Sequence, residues 1–298
     1  MQVRTTVRAL VSAVSIAFGA IAACSSGNGA GPGSSTASHS GSGTSSGTTS
    51  SGGSQSPSDA ASHADGGGAL LVDDMEADSG TQIALVVPAG DTPGSYYTYD
   101  DGPNSSIQGT SQLNDSKLAA PITNADGTTI SGELCVSGSV LAYAGLGMNL
   151  VYTKPADASA TALSSPVPFD ASRYNGVSFY IFVPADAGGA ITTVHFGIPD
   201  TQTADPTAWP KSDCAQGDAG CDDDFGADVS ATPGAWTKVA FSWNSADSML
   251  SQQNWGAQFG ALRTNALIGM KWQANGPGPD AGSTDPFDFC ISDIYFTP

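Results

Sequence analysis

Polar side chains alternate with apolar ones in two segments, and their types suit one kind of chemistry. In residues 191–198, Val194, Phe196 and Ile198 share a face and His195 points the other way; in residues 267–273, Ile268, Met270 and Trp272 share a face opposite Lys271 and Gln273. If the two segments are neighbours, His195, Lys271 and Gln273 project into one groove, with Tyr180 of residues 177–183 placed to join them. Trp209 and Trp255, read as loop aromatics, and the cluster Tyr96, Tyr97 and Tyr99 are suited to wall it. Flat rings stack on pyranose C–H groups, while imidazole, ammonium and amide groups exchange hydrogen bonds with hydroxyls, so the set points to carbohydrate recognition. The competing reading makes Trp236, Trp243 and Trp272 core residues, gives Trp255 the task of pinning a glycine turn, and leaves the polar faces as solvated surface.

Catalysis finds less support. A Ser-His-Asp or Cys-His set needs a histidine within the fold, and His195 is the one histidine outside a Ser/Gly tract that holds His39 and His63. Within residues 69–298 no Gly-x-Ser-x-Gly elbow, paired-glutamate hydrolase spacing or phosphate-cradling loop occurs. Two rivals stay open beside binding. One is a polysaccharide lyase or glycoside hydrolase, the lyase drawing on His195, Lys271 and a tyrosine; the other is a structural or adhesive envelope protein. The net charge of −19 repels phosphate backbones and anionic head groups, which argues against nucleic acid and leaves a covalent membrane link. The expected partner is a polysaccharide or surface glycan, met by a monomer. Asp222, Asp223 and Asp224 read as a solvated loop, because adjacent residues of an extended chain point to opposite sides.

The chain changes texture sharply along its length. Residues 7–21 are apolar, follow Arg4 and Arg8, and end in Ala22 and Ala23, which makes residues 1–23 an export signal too short to span a bilayer. Residues 24–68 are nearly all Ser, Gly, Thr and Ala, cannot bury enough apolar surface to offset ordering entropy, and form a flexible tether with an r.m.s. reach of about 35–40 Å. Residues 69–298 carry every Trp and Tyr and four of the five cysteines. An even number of cysteines in an exported domain reads as two disulfides: Cys214 and Cys221 flank a short Gly/Asp loop and pair, which leaves Cys135 with Cys290. Zinc is disfavoured, since no Cys-x-x-Cys or histidine partner accompanies them. The run Ile21-Ala22-Ala23-Cys24 resembles the lipobox of bacterial lipoproteins, and Ser25 resembles the outer-membrane-sorted class. That resemblance implies a diacylated Cys24 as mature N-terminus at the outer membrane or cell surface, two or three chains anchoring stably where one does not; an ordinary signal peptide, with Cys24 removed or a bystander, is the alternative.

Residues 177–183, 191–198, 236–243, 267–273 and 287–296 alternate as strands, with weaker candidates at 71–75, 132–136 and 147–153. Helical periodicity is absent over any dozen residues; the best short candidate is 248–253. Short strands joined by Gly/Pro/Asp-rich turns predict an all-β jelly-roll sandwich of two antiparallel sheets over residues 69–298. The opening Leu71-Val72-Asp73-Asp74-Met75-Glu76, the middle Gly176-Val177-Ser178-Phe179-Tyr180, the turn Gln253-Asn254-Trp255-Gly256 and the closing Phe289-Cys290-Ile291-Ser292-Asp293-Ile294-Tyr295-Phe296 resemble a galactose-binding-like jelly roll, more narrowly the family 11-type carbohydrate-binding modules. The resemblance implies non-catalytic carbohydrate binding and a structural Ca2+ between the first and last strands, held by Glu76 and Asp293 with Asp74 or Asp78 and loop carbonyls. The family often has Asp where Ser292 stands, so one ligand is missing here.

Overall fold

The computed structural model describes residues 68–75, 83–102, 105–108, 114–124, 126–153, 166–185, 191–206, 209, 212–214, 220–243 and 250–298. The signal, the tether, Cys24, Glu76 and Asp78 lie outside the described residues. In chain order the strands are β1 (Leu70–Asp73), β2 (Asp91–Pro93), β3 (Tyr96–Asp100), β4 (Ser106–Gln108), β5 (Asn114–Thr123), β6 (Thr129–Val140) and β7 (Tyr143–Asn149). They continue with β8 (Val151–Thr153), β9 (Gly176–Phe182), β10 (Thr193–Ile198), β11 (Phe225–Ser230), β12 (Thr237–Ser242), β13 (Gly269–Asn275) and β14 (Asp285–Thr297). Among the described residues the only helical turns are two short 3-10 segments, Thr264–Ala266 and Pro279–Ala281.

The strands form an all-β sandwich. One sheet has seven strands in the order β12-β9-β14-β6-β4, with β1 added on β14 and β5 on β6; the other has five in the order β11-β10-β13-β7-β3. Every strand pairing is antiparallel, which leaves one face of each sheet to the core and the other to water. The alternation that defines the strands therefore sets which side chains meet between the layers. From the seven-stranded sheet come Phe179, Phe241, Phe289 and Ile291, and from the five-stranded sheet Phe196, Met270 and Trp272, all buried. Phe179 meets both Phe196, at a centroid distance of 4.8 Å, and the edge of Trp272, at 5.4 Å and 90°, joining the layers at the centre. Each such ring contributes roughly 2–3 kcal/mol of burial, and truncation to Ala would cost about 3–5 kcal/mol.

Several expectations are met and several corrected. Cys135 faces Cys290 directly across β6 and β14 and is bonded to it, and Cys214 is bonded to Cys221 across a separation of 7 residues. Trp272 is fully buried, and Trp243 packs half-buried against the core with its indole N–H donating to the Tyr174 carbonyl. Trp236 is not core: its half-buried ring lies against Phe182, outside the interior cluster. The tyrosine cluster forms β3, an edge strand, whose mixed polar and aromatic sequence shows no alternation; Tyr96 turns inward. The best short helical candidate, 248–253, is not helical in its described part, where Ser251 instead bridges Gly226.

Candidate functional site

The outer face of the five-stranded sheet floors a cleft of about 800 Å³. Register places its side chains in two rungs. In the first, Asp228 pairs with His195, His195 with Gln273, Gln273 with Gly145 and Gly145 with Tyr99; in the second, Gly226 pairs with Gly197, Gly197 with Lys271, Lys271 with Gly147 and Gly147 with Tyr97. All side chains of both rungs share one face, because the strand period is two and the pairings are in step. The glycines give the floor its shape. A Cβ on Gly147 would lie 2.5 Å from Tyr97 Cζ, and one on Gly226 would lie 2.5 Å from His195 Nε2, so the absence of side chains lets both rings approach neighbouring backbone closely. Tyr99 donates its hydroxyl to Gln273 Oε1 at 3.3 Å, and Gln273 Nε2 donates to Asn275 Oδ1 at 2.7 Å, fixing the first rung. His195 Nδ1 lies 2.8 Å from Asp228 Oδ1 and 3.1 Å from Gln253 Nε2.

The second rung is set by charge. Lys271 Nζ lies 2.9 Å from Asp224 Oδ2 and 3.6 Å from Asp222 Oδ1. Burial works against its ammonium, but Asp224, Tyr97 and Asp222 together hold its pKa well above the ordinary lysine range. Asp224 is itself held by the Thr203 hydroxyl, which donates at 2.6 Å; Thr203 Oγ1 in turn accepts from the Asp200 amide at 3.2 Å. Asp200, 0% exposed, accepts the backbone N–H groups of Gln202, Thr203 and Arg263, yet burial keeps its pKa above the usual carboxylate range. Burial also raises the Tyr97 and Tyr99 hydroxyls above the ordinary tyrosine range, opposed by Lys271.

Trp255, 55% exposed, stands on a turn that Asp223 holds from below. Asp223 is 1% exposed and accepts from the Gln253 amide (2.8 Å), the Gly256 amide (3.2 Å) and Gln258 Nε2 (2.8 Å), while Gln252 Nε2 donates to the Asp223 and Ala257 carbonyls. Asn254 takes the left-handed conformation at φ 67°, a region Asn tolerates. Successive aspartates thus face opposite ways: Asp222 and Asp224 point to Lys271, and Asp223 to the Trp255 turn.

Of the residues expected at the groove, His195, Lys271, Gln273, Trp255 and Trp209 all line this cleft, as do Tyr97 and Tyr99. Tyr180 does not. It lies on β9 in the other sheet, where its hydroxyl donates to Asp126 Oδ2 at 2.7 Å and Lys238 sits over its ring at 5.5 Å. Tyr180, the Thr128 amide and Lys238 hold Asp126 far below the usual carboxylate range. The solvated-loop reading of Asp222–Asp224 is also overturned, since Asp223 and Asp224 are buried. Sequence reasoning missed Tyr143, Asp100, Asp205 and Gln253, which also line the cleft. Tyr143 precedes Gly145 by two positions and so shares its face, a period-two signal open to view; Asp100, Asp205 and Gln253 arrive from strand ends and loops, which carry no such period.

In the seven-stranded sheet, Asp73 pairs across from Ile294, beside Asp293; both aspartates are buried, and Met75 and Asp293 have φ of 57° and 47°. The register shifts in β1 and β14 at this point, and burial together with Asp293 and Asp74 raises the Tyr295 hydroxyl above its ordinary range. Carboxylates are the oxygen donors a hard cation takes. Among the described residues, however, the one group of three potential ligands within 4.8 Å is Glu133, Cys135 and Cys290, whose cysteines are already bonded to each other. Asp73, Asp74 and Asp293 form no such group among the described residues.

No family model and no curated protein matches the chain. Solved structures do. A family 11 carbohydrate-binding module from Clostridium thermocellum, in complex with a β-1,3-1,4-mixed-linked tetrasaccharide, is similar over 77% of this chain and 95% of its own, at 14% identity and a TM-score of 0.40. An exo-β-agarase is similar over 77% of this chain and 25% of its own, at 13% identity and a TM-score of 0.36. The adhesin domain of Lys-gingipain from Porphyromonas gingivalis W83 is similar over 76% of this chain and 96% of its own, at 12% identity and a TM-score of 0.30. All three lie below a TM-score of 0.5, so the chemistry of the cleft rests on its own geometry.

Proposed function

We propose that the sandwich binds a polysaccharide or surface glycan in the cleft of the five-stranded sheet and does not alter it. The observation that carries this reading is the pair of aligned rungs: His195, Gln273 and Tyr99 in one row, Lys271 and Tyr97 in the next, under the exposed indole of Trp255. Rings supply stacking faces, and imidazole, amide and ammonium groups supply directional partners for hydroxyls. A wet, open groove of this kind gives modest affinity. Lyase chemistry fits less well, because a base must give up its proton near the working pH, whereas burial holds Tyr97 and Tyr99 protonated and Asp224 engages Lys271. The two disulfides suit an oxidising, exported setting, and among the described residues no helix is long and apolar enough to cross a membrane. A lipid on Cys24, the Ser/Gly tether of residues 24–68 and an outer-membrane or cell-surface location complete the reading, with Ca2+ held by Glu76, Asp74 and Asp293. Mass spectrometry of the mature N-terminus tests the anchor, and a melting temperature unmoved by chelator removes the ion.

The deciding experiment is a glycan array with the full chain, joined to reducing-end and unsaturated-product assays. Binding without turnover is expected. Retention unchanged in both Trp255→Ala and His195→Ala refutes the groove, and turnover refutes the non-catalytic role.

A further inference from the structure

A single nitrogen of the cleft is claimed by two partners. His195 Nδ1 lies 2.8 Å from Asp228 Oδ1 and 3.1 Å from Gln253 Nε2, and the two contacts make opposite demands on it. A carboxylate accepts, so the Asp228 contact needs a proton on Nδ1; an amide nitrogen donates, so the Gln253 contact needs the bare lone pair. The two cannot be made together.

The ring does not settle the contest by moving away. A Cβ on Gly226 would lie 2.5 Å from Nε2 and 3.0 Å from Cε1, so that edge rests close on the β11 backbone, and the side chain is only 12% exposed. The backbone around Gln253 is held as firmly. Ser251 exchanges both backbone hydrogen bonds with Gly226, at 3.0 and 2.9 Å, and the Gln253 amide donates to Asp223 Oδ1 at 2.8 Å. Two groups are left to respond: the Gln253 side chain, which lines the cleft two positions before Trp255, and Asp228, whose carboxylate is 64% exposed and stands outside the cleft lining.

Histidine takes up its second proton between about pH 5 and 8, and in the imidazolium both ring nitrogens donate. The groups around the ring are Asp228 and Asp224 of the β11 segment, Lys271 and Gln273 of β13, and Gln253 with Asp223 at the turn. Asp224 and Lys271 are paired with each other at 2.9 Å, Asp223 is taken up by the amides of the turn, and Gln273 is neutral, so the carboxylate in contact with an imidazolium is Asp228.

Resting on the carbohydrate reading above, we propose that Asp228 is a positioning residue that competes with Gln253 for His195, and that protonation of His195 releases Gln253 and weakens glycan binding under mildly acidic conditions. In the neutral ring Gln253 donates to the bare Nδ1, and its Oε1 is preset as an acceptor for a sugar hydroxyl. In acid a proton from solvent occupies Nδ1, the ring pairs with Asp228, and each arriving glycan has to order the Gln253 side chain anew, which lowers affinity about fivefold.

The test joins calorimetric titration of the full chain with neutral glucan, mannan and galactan hexamers, from pH 5 to 8, to 15N NMR of the ring without glycan, the His195 signals being those absent from His195→Gln. Nδ1 is expected bare at pH 8 and protonated at pH 5, with affinity falling about fivefold across the same transition. Asp228→Asn, which cannot answer the imidazolium with a charge, should move the transition to lower pH. Gln253→Ala should bind about fivefold more weakly at pH 8 and show no step, its melting temperature reporting its folding. Nδ1 protonated at both ends of the range, an affinity without a step, a step that persists in Gln253→Ala, or a transition unmoved in Asp228→Asn overturns the contest and leaves carbohydrate binding intact. Binding of none of the three hexamers at either pH overturns the carbohydrate reading itself.

Discussion

Single residues decide how the cleft is shaped, and two glycines separate shape from stability. At Gly147 an added Cβ meets the far end of a movable ring, Tyr97 Cζ at 2.5 Å, whereas at Gly145 it meets the Trp272 backbone oxygen at 2.1 Å. Gly147→Ala is therefore expected to displace the Tyr97 ring and weaken glycan binding severalfold with little change in melting temperature, while Gly145→Ala should lose on the order of 1–3 kcal/mol of stability as the ladder is forced apart. Paired binding and melting curves check both; the same loss of stability in the two variants would show that Tyr97 is not what Gly147 accommodates. Trp255 belongs to the same scale. Its indole is 55% exposed, so Trp255→Ala should leave the melting temperature almost unmoved while removing tenfold or more of glycan affinity, as expected of an aromatic anchor.

At the scale of elements, cross-links and turns hold the frame on which those side chains stand. The bond between Cys135 and Cys290 joins β6 and β14 across a separation of 155 residues, and that between Cys214 and Cys221 closes one of 7. In the chain-entropy account the long loop is worth about 5 kcal/mol and the short one about 2.5 kcal/mol. Chemical denaturation of Cys135→Ala/Cys290→Ala should accordingly show the larger loss of stability. Cys214→Ala/Cys221→Ala should instead lower glycan affinity more than stability, since Cys221 lines the cleft beside Asp222. Asp223 makes the same point for the Trp255 turn. Asp223→Ala strips the acceptor from two amides and the Gln258 side chain, a loss of roughly 2–4 kcal/mol with the turn released.

Charge acts on the whole molecule, and its sign differs at the two ends of the pH scale. Tyr97, Tyr99 and Lys271 keep their protons in the folded state to higher pH than in the unfolded chain, so their contribution is complete below about pH 10 and is lost as pH rises through their folded values. Denaturation midpoints should fall above about pH 10, and Tyr97→Phe/Tyr99→Phe should flatten that slope; a midpoint indifferent to the double substitution would contradict the burial of these hydroxyls. Towards acid the carboxyls divide. Burial raises Asp200 and Asp222, which take up protons in the folded state first and so favour folding as pH falls, whereas Asp126 and Asp170, lowered by hydrogen bonds from Tyr180 and Ser172, favour folding above the unfolded carboxylate range and lose that contribution as pH drops through it.

The two-layered all-β frame, the faces of its later strands and both cysteine pairings were legible in the order of the residues alone. These follow from local rules: period two puts His195, Lys271 and Gln273 opposite Phe196, Met270 and Trp272 wherever the strands lie, and a short Gly/Asp loop brings Cys214 to Cys221. Which strands are neighbours, and with that the cleft, came from the folded arrangement. Tyr180 has the same alternation as His195 yet belongs to the opposite sheet, because alternation gives a side and not a layer. Tyr97 and Tyr99 entered the site through the pairing of an edge strand with β7, and Asp224 through its meeting with a lysine 47 positions later in the sequence. Neither contact leaves a periodic trace, since each depends on chain segments that only register and burial bring together.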